Sequence, residues 1–241
     1  MEHPFLREEM ILGAEALERL RRSHVIVFGI GGVGSYAAEG LARAGVGALT
    51  LVDNDTVGVT NLNRQLCALH STIGKYKSDV MAQRVLDINP DCRVTSVPAL
   101  YSEETKERFF GQRYDYIIDA IDLVSCKLSL VQTAKERDIP IISAMGTGNK
   151  LDPTQFRITD ISKTSGCHLA RVMRRELRAR NILHHTVLFS EELPQTPIQE
   201  ETPPPGRRSI PASVSWVPSC AGLMLAGYVI QELIKDAKSA G

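Results

Sequence analysis

The sequence contains few cysteines, and they are scattered. Five of its 241 residues are cysteine, and no two of them form a Cys-x-x-Cys pair. Disulfide scaffolds of small secreted proteins and structural zinc sites both depend on grouped cysteines. The spacing therefore excludes both classes, and no zinc is expected.

There is no excess of charge of either sign. Lys and Arg together number 28, Asp and Glu also number 28, and the formal net charge at pH 7 is +0. A protein without a net field is not drawn as a whole to nucleic acid or to anionic lipid. An RNA partner would therefore have to be held by a local basic patch.

Long apolar runs are missing as well. The opening residues, MEHPFLREEM, lack the apolar core of a signal peptide, so we expect a cytoplasmic protein. Residues 209–231 carry no charge, but Pro211 and Pro218 interrupt them. Their compact apolar part, Cys220 to Ile230, would rise only about 17 Å as a helix, against a hydrocarbon core of roughly 30 Å. We therefore predict a buried terminal helix and no stable membrane insertion.

A regular alternation of strands and helices is present instead. Apolar runs predict strands at 24–29, 48–52, 93–98, 114–118 and 140–144, and helical patterns lie between them at 32–44, 77–88 and 125–137. This succession is typical of an α/β, Rossmann-like, doubly wound and mainly parallel sheet. Further strands at 155–159 and 186–190, with a helix at 165–180, predict antiparallel additions in the C-terminal half.

The chain is interpreted as a single domain, 1–241. Residues 1–150 form its nucleotide-binding front, and residues 151–241 form a smaller lobe that faces the substrate. Five prolines and four glutamates within 191–208 predict a mobile loop there.

A glycine-rich turn follows the first predicted strand. The stretch GIGGVGS places glycine at Gly29, Gly31, Gly32 and Gly34. Such a turn lets the backbone approach a phosphate while the next helix directs its free N–H groups at the phosphate oxygens. Asp53, at the end of the second strand, is placed to bind ribose hydroxyls. Both features suit NAD and ATP alike.

Polar and cationic residues beyond the second strand favour ATP. Asn61, Arg64 and Lys77 follow within the stretch DNDTVGVTNLNRQLCALHSTIGKYK. A hydride-transfer site needs an apolar slot for nicotinamide, whereas a site that stabilises departing pyrophosphate needs positive charge. The alternative for Arg64 and Lys77 is that each is a solvated surface residue.

Carboxylates end the fourth predicted strand. In YDYIIDAID, Asp119 and Asp122 stand where the apolar run stops, at the edge where doubly wound sheets bind ligands. Asp122 is suited to hold Mg²⁺ between phosphate oxygens. The alternative is that Asp122 caps the helix that begins near Ser125. We expect Asp119 to order the turn.

Together these motifs resemble a known family. The combination of GxGGxGS, DxDxVxxxNxxRQ, Gly74 three residues before Lys77, and DAID followed by Lys127 is similar to the ThiF-type adenylating domain. Ubiquitin-activating enzymes and the bacterial enzymes that activate sulfur carriers share this domain. The resemblance implies that ATP and Mg²⁺ activate a carboxylate as an acyl-adenylate, with release of pyrophosphate.

The resemblance also implies roles for individual residues. Residues that match Asp53 bind ribose, and those around the triphosphate and metal match Asn61, Arg64, Gln65, Lys77 and Asp122. An arginine six residues before a glycine reaches the phosphates of the partner subunit, and Arg7 and Gly13 have that spacing. The implied catalytic set is Arg64, Lys77, Asp122 and Arg7, in a homodimer. The alternative for Arg7 is an ordinary surface arginine.

The second half is similar to one branch of the family, the tRNA threonylcarbamoyladenosine dehydratases. The likeness runs from about Phe5 to Leu233, through stretches such as INPDCRV and LARVMRRELRARNI. It implies that the threonyl carboxylate of a modified adenosine beside the anticodon is adenylated, and that a ring then closes with loss of AMP. The basic residues available to bind this tRNA are Lys163, Arg171, Arg174, Arg175 and Arg178. The alternative for them is a solvated helix face.

Three other functions stay open from the sequence. The first is adenylation of the C-terminus of a ubiquitin-like sulfur carrier, with a sulfur-transfer protein as partner. The missing Cys-x-x-Cys pairs oppose it, and neither Cys67 nor Cys167 has an evident activating setting. The second is a nicotinamide-dependent oxidoreductase, which the cations oppose. The third is an inert adaptor, which the joint presence of Arg64, Lys77 and Asp122 opposes.

Overall fold

The computed structural model of the chain describes residues 3–198 and 211–235. Within these residues the strands are β1 His24–Phe28, β2 Ala48–Val52, β3 Arg93–Val97, β4 Tyr116–Asp119, β5 Ile141–Ala144, β6 Phe156–Asp160 and β7 Thr186–Ser190. They form one seven-stranded sheet in the order β3-β2-β1-β4-β5-β7-β6. All neighbours pair in parallel except β6 and β7, which are antiparallel. The predicted doubly wound sheet with an antiparallel addition is confirmed.

Helices cover both faces of the sheet. Those described are α1 Leu6–Leu12, α2 Ala14–Arg22, α3 Gly34–Arg43, α4 Lys77–Ile88, α5 Val124–Glu136, α6 His168–Ala179 and α7 Trp216–Leu233. Helices α2, α3, α4 and α7 bury their apolar residues on one face, and α5 and α6 do so on the other. This double cover explains why the central strands β1 and β4 read as unbroken apolar runs.

The terminal helix α7 has a buried side, as predicted, and it packs against α3. Ala221, Leu225 and Val229 on α7 are fully buried. The two helices approach closely at Gly222, where a Cβ atom would lie 2.3 Å from the carbonyl oxygen of Val33. In the described part of the chain, no helix combines the length and the apolar character that crossing a bilayer requires.

The carboxyl ends of β1 and β4 meet at the topological switch point of the sheet. From β1 the chain passes through α3 to β2 on one side, while β4 lies on the other side of β1. Ligands of doubly wound sheets bind in the crevice outside such a point. The glycine turn follows β1 and residues 120–123 follow β4, so both lie at this crevice.

Strands from the second half of the chain complete the sheet of the first half. Strand β7 pairs with β5, and β6 pairs with β7 at the edge. Within the predicted mobile loop, Glu192 is buried, and its carboxylate accepts the N–H groups of Leu151 at 2.8 Å and Asp152 at 3.0 Å. Residues 199–208 of that loop lie outside the described residues.

Candidate nucleotide-binding site

The glycine turn joins β1 to α3 and has no room for side chains at two positions. Gly29 has a φ of +85°, and a Cβ atom there would lie 2.6 Å from the carbonyl oxygen of Ala120. A Cβ atom on Gly34 would lie 1.7 Å from the carbonyl oxygen of Gly29, so only glycine fits. At Gly31, by contrast, the nearest described atom is Gln65 Nε2 at 3.9 Å. The backbone there is open to a ligand.

Asp53 supports the turn from the end of β2. Its Oδ2 accepts the N–H of Ile30 at 2.6 Å, and its Oδ1 accepts the N–H of Asp55 at 2.8 Å. Burial raises the pKa of the Asp53 carboxyl, while the two backbone N–H groups and the Lys77 ammonium partly offset that rise. Each carboxylate oxygen keeps a second lone pair. Asp53 can therefore shape the turn and still accept a hydrogen bond from a ribose hydroxyl.

Arg64 lies against the turn. A Cβ atom on Gly32 would be 3.5 Å from Arg64 Cγ. Arg64 Nη1 donates to the carbonyl oxygen of Thr60 at 2.9 Å and to Asn63 Oδ1 at 2.8 Å. Burial lowers the pKa of the Arg64 guanidinium, but arginine titrates so far above neutrality that the charge remains. The aliphatic stem of a permanently charged side chain therefore packs beside the turn, and its guanidinium has further N–H groups that can donate to a ligand.

Asn61 and Gln65 belong to the same loop as Arg64. Asn61 Oδ1 accepts the N–H of Gly58 at 3.0 Å, which fixes the short helical turn before Arg64. Gln65 is buried and faces Gly31. The structure thus brings the glycine turn, Asp53, Asn61, Arg64 and Gln65 together.

Lys77 opens α4 and is buried, with 5% of its surface exposed. Its Nζ lies 2.8 Å from Asp55 Oδ2, and its backbone N–H donates to the Asp55 carbonyl oxygen at 3.0 Å. The alternative of a solvated surface lysine is therefore wrong. The ammonium lies close enough to Asp53 to offset part of the rise that burial causes in the pKa of that carboxyl. The charge of Lys77 therefore acts on the site.

A buried ion pair orders the segment after β4. Asp119 Oδ2 lies 2.9 Å from Lys127 Nζ, and both side chains have 0% exposure. Asp119 Oδ1 accepts the N–H of Ile121 at 3.1 Å, and Lys127 donates to the Ile121 carbonyl oxygen at 3.0 Å. The expectation that Asp119 orders the turn is confirmed. Asp122 follows in this segment and is exposed, and Leu123 rather than Asp122 occupies the N-cap of α5.

The N-termini of the described helices α3 to α7 have no side-chain caps from their N-cap residues. The N-cap residues of α3 to α7 are Val33, Tyr76, Leu123, Cys167 and Ser215, and in the described part of the chain none of their side chains accepts a capping hydrogen bond. Uncapped N–H groups and aligned peptide dipoles produce a positive potential at a helix N-terminus. Helix α3 follows the glycine turn directly and presents such donors to a phosphate there.

The two candidate cysteines differ in their settings. Burial raises the pKa of the Cys67 thiol to about 11, so it is protonated near neutral pH. Its Sγ donates to the Ile30 carbonyl oxygen at 3.7 Å beneath the turn. Cys167 does occupy a helix end, which the sequence patterns did not indicate, because α6 begins at His168. Cys167 is buried, and its Sγ lies 3.9 Å from the Cβ position of Gly146.

Arg7 is not brought to the site of its own chain. It is exposed on α1 and makes no ion pair with the described residues. Two residues earlier, the ring of Phe5 lies 3.5 Å from the Cβ position of Gly45. Gly45 follows the C-terminus of α3. Helix α1 therefore lies near the amino ends of the strands, whereas the glycine turn lies at their carboxyl ends.

The basic candidates on and near α6 are mostly exposed. Lys163, Arg171, Arg175 and Arg178 are exposed. Arg174 differs, because its Nη1 donates to the Thr164 carbonyl oxygen at 2.8 Å and to Thr164 Oγ1 at 2.6 Å. Arg175 pairs with its neighbour Glu176 at 2.8 Å. The basic face is therefore narrower than the sequence indicated.

Two residues that shape the site had no role assigned from the sequence. Lys127 neutralises Asp119, and the only sequence signal for it was its position after the DAID motif. Pro218 of α7 covers the turn, since its Cβ lies 3.2 Å from the Cβ position of Gly32. No local pattern signals Pro218, because the contact joins distant parts of the chain.

The arrangement is suited to binding and positioning a polyphosphate. It joins an open backbone turn and a helix N-terminus to two cations, Arg64 and Lys77, and to one exposed carboxylate, Asp122. No group of three His, Cys, Asp or Glu side chains in residues 3–198 and 211–235 forms a metal cage of its own. Fold and site define a nucleotide-binding protein of the doubly wound α/β class, built for phosphates rather than for a nicotinamide ring.

Comparison with known proteins narrows this class. The model of the ThiF family matches residues 5–240, and the chain belongs to that family. The tRNA threonylcarbamoyladenosine dehydratase of Bacillus subtilis (strain 168) is 46% identical over 245 residues, which cover 98% of this chain and 96% of that protein. The protein of the same name from Escherichia coli (strain K12) is 44% identical over 169 residues, 70% of this chain and 63% of that protein.

A solved structure agrees over nearly the whole chain. The crystal structure of E. coli tRNA N6-threonylcarbamoyladenosine dehydratase, TcdA, in complex with ATP superposes with a TM-score of 0.88 at 34% identity. The match covers 99% of this chain and 96% of that one. The resemblance inferred from the motifs is thereby confirmed at the level of family and fold.

Proposed function

We propose that the chain is an ATP-dependent tRNA threonylcarbamoyladenosine dehydratase. It adenylates the threonyl carboxylate of the modified adenosine beside the anticodon and closes a ring, with release of pyrophosphate and AMP. The observation that supports this chemistry is the contact of the Arg64 side chain with the glycine turn, where Arg64 Cγ lies 3.5 Å from the Cβ position of Gly32. The substrate class follows from relatives of that name at 46% and 44% identity.

ATP occupies the turn between β1 and α3 in this proposal. The first N–H groups of α3 donate to phosphate oxygens, and Asp53 accepts from the ribose. Asn61 and Gln65 lie in the loop beside the same turn. Arg64 and Lys77 face the triphosphate and offset the negative charge that accumulates on pyrophosphate as it leaves.

The chemistry requires positioning more than a side-chain base. A free carboxylate does not acylate, because its leaving group would be oxide. When its oxygen attacks the α-phosphorus of ATP, the bond to pyrophosphate breaks and a mixed anhydride forms. An internal nitrogen or oxygen of the substrate then attacks the acyl carbon, loses its proton and expels AMP. Fixed cations and close approach supply most of what these steps need.

Mg²⁺ fits this site through Asp122. The ion is usually held by one or two carboxylates together with substrate phosphates rather than by a cage made of protein alone. Asp122 is exposed and follows β4 at the crevice. Asp119 is fully buried and forms an ion pair with Lys127. Asp122 would hold the ion, and the ion would offset the negative charge that develops on the phosphates.

The proposal includes a homodimer in which Arg7 acts on the partner subunit. Arg7 lies away from its own turn, and Met10 and Ile11 on the same helix are 80% and 84% exposed. Exposed apolar side chains of this size favour a protein contact. The exposed residues Lys163, Arg171, Arg175 and Arg178 would contact tRNA phosphates.

Cyclisation of tRNA that carries threonylcarbamoyladenosine tests the proposal. The purified chain with ATP and Mg²⁺ should yield the closed ring, detected by mass spectrometry after isolation mild enough to keep the ring intact. Arg64→Ala and Asp122→Ala should each slow the reaction by about 10²- to 10³-fold, because each removes a group that stabilises transition-state charge. The control is Arg113→Ala, which removes an exposed arginine just before the amino end of β4, whereas the glycine turn lies at the carboxyl ends of the strands.

Two results would contradict the proposal. One is cyclisation at the wild-type rate by Arg64→Ala. The other is ATP–pyrophosphate exchange that depends on the C-terminus of a sulfur carrier and not on tRNA. That second result would favour the sulfur-carrier alternative and its sulfur-transfer partner.

A further inference from the structure

Trp216 lies at the rim of the candidate site. It is the single tryptophan of the sequence and the first residue of α7. Two residues later, Pro218 packs against the Cβ position of Gly32 at 3.2 Å. Three residues earlier, the Ser213 carbonyl oxygen accepts a hydrogen bond from Asn63 Nδ2 at 3.0 Å. Trp216 is therefore framed by the glycine turn and by the loop that carries the site cation.

The indole is held at one point and is otherwise open. Its Nε1 donates to the Leu151 carbonyl oxygen at 2.7 Å, and Leu151 is itself fixed by donating its N–H to Glu192 Oε1 at 2.8 Å. Even so, 48% of the surface of Trp216 is exposed. A side chain that is already fixed loses little rotamer freedom when a ligand binds to it. The ring is thus both ordered and accessible.

RNA binding by this chain would gain from a contact that adds to the local basic residues. The formal net charge is +0, so there is no general attraction for a polyanion. The basic face of α6 is also reduced, because Arg174 bonds to Thr164 and Arg175 pairs with Glu176. Bases in RNA loops are commonly recognised instead by stacking on aromatic side chains.

We propose that Trp216 is a stacking platform for a nucleobase of the RNA substrate. This inference rests on the proposed function and names the contact that holds the base while its appended carboxylate reaches the nucleotide. Leu151, whose carbonyl oxygen accepts the indole N–H, is also exposed and adds apolar surface beside the platform. The role is one of positioning, since Trp216 takes no part in bond making.

The fluorescence of the single tryptophan can be used to measure binding at this position. Binding of tRNA that carries threonylcarbamoyladenosine should quench the fluorescence of the wild-type chain and saturate with the binding curve. The isolated nucleoside, as a second titrant, shows which base stacks. Quenching by the nucleoside identifies the modified adenine, and quenching by tRNA alone identifies a neighbouring base.

Two variants separate stacking from the hydrogen bond to Leu151. Trp216→Leu keeps an apolar side chain but removes the ring, and it should raise the KM for tRNA by about 5- to 150-fold. The KM for ATP should stay unchanged. Trp216→Phe lacks the N–H but keeps a ring, so its loss should be much smaller. Leu183→Ala, which removes an exposed apolar side chain between α6 and β7, is the matched control.

Four outcomes bear against the inference in distinguishable ways. If Trp216→Phe and Trp216→Leu raise the KM for tRNA equally, the effect comes from the hydrogen bond to Leu151. If Trp216→Leu leaves the KM for tRNA unchanged, Trp216 is not a stacking platform. A change of oligomeric state in Trp216→Leu, measured by light scattering, would mean that a second copy of the chain covers the ring. If the wild type fails to process modified tRNA at all, the proposed function itself is wrong.

Discussion

Replacing Lys127 with methionine tests whether the buried ion pair after β4 holds the site together. Methionine has a similar length and no charge, so packing around the fully buried side chain is largely kept. Asp119 then loses the ammonium that lies 2.9 Å from its Oδ2. The Ile121 carbonyl oxygen loses its donor at 3.0 Å.

The expected loss of stability is large. Removing one partner of a buried ion pair costs about 3–5 kcal/mol, because the other charge stays buried without compensation. At about 2–4 °C per kcal/mol for a chain of this size, Lys127→Met should lower the Tm by roughly 6–20 °C. Asp119→Asn should cost a similar amount, since it leaves the ammonium alone. The double variant should cost less than the sum by up to about 3 kcal/mol, because it removes both charges.

Urea unfolding followed by far-UV circular dichroism provides the measurement. Lys135→Met removes an exposed lysine from the same helix and should change the unfolding free energy by no more than about 0.5 kcal/mol. If Lys127→Met loses less than about 1 kcal/mol, or if the two single losses simply add, the ion pair does not order this segment.

Two further predictions concern other parts of the fold. Burial lowers the pKa of the His185 imidazole to about 3; its contribution to stability is therefore complete above the unfolded pKa of about 6.5 and is lost as pH falls below it, by up to about 1.4 kcal/mol per pH unit. His185→Gln should reduce this slope in urea unfolding, and a slope equal to that of the wild-type chain would contradict the prediction. On α7, Gly222→Ala would place a Cβ atom 2.3 Å from the Val33 carbonyl oxygen, whereas one at Gly227 meets nothing within 4 Å. The first should destabilise by about 1–3 kcal/mol and the second should stabilise by about 0.5–1 kcal/mol in thermal unfolding, and the reverse order would contradict the observed packing.

Elements with strong local signals were predicted well from the sequence. Strand β2 and helix α4 have the predicted bounds, because an unbroken apolar run and a clear stop at Asn89-Pro90 define them locally. The glycine turn was predictable for a similar reason, since its shape requires glycine at Gly29 and Gly34. The short helix α1 has no buried side chain and therefore no periodic signal.

The pairing of side chains was much harder to predict. Lys127 lies eight residues from Asp119 on another element, and Glu192 binds the backbone of Leu151 from 41 residues away. Arg174 has helical spacing that suits the surface, yet it bonds to Thr164. Periodicity reports which face of an element is apolar but not which distant group a polar side chain meets. The roles of Arg64, Lys77 and Asp122 toward the nucleotide stay predictions.

The place of α7 over α3 has a consequence for how the chain is made. At about 5–20 residues per second, α7 leaves the ribosome roughly 5–20 seconds after β5. Until then the nascent chain carries α3 with an uncovered apolar side, and until β7 emerges it also carries β5 as a bare sheet edge. Both surfaces promote misassembly. Rapid overproduction is therefore expected to fill inclusion bodies, and slower synthesis at low temperature should give more folded protein.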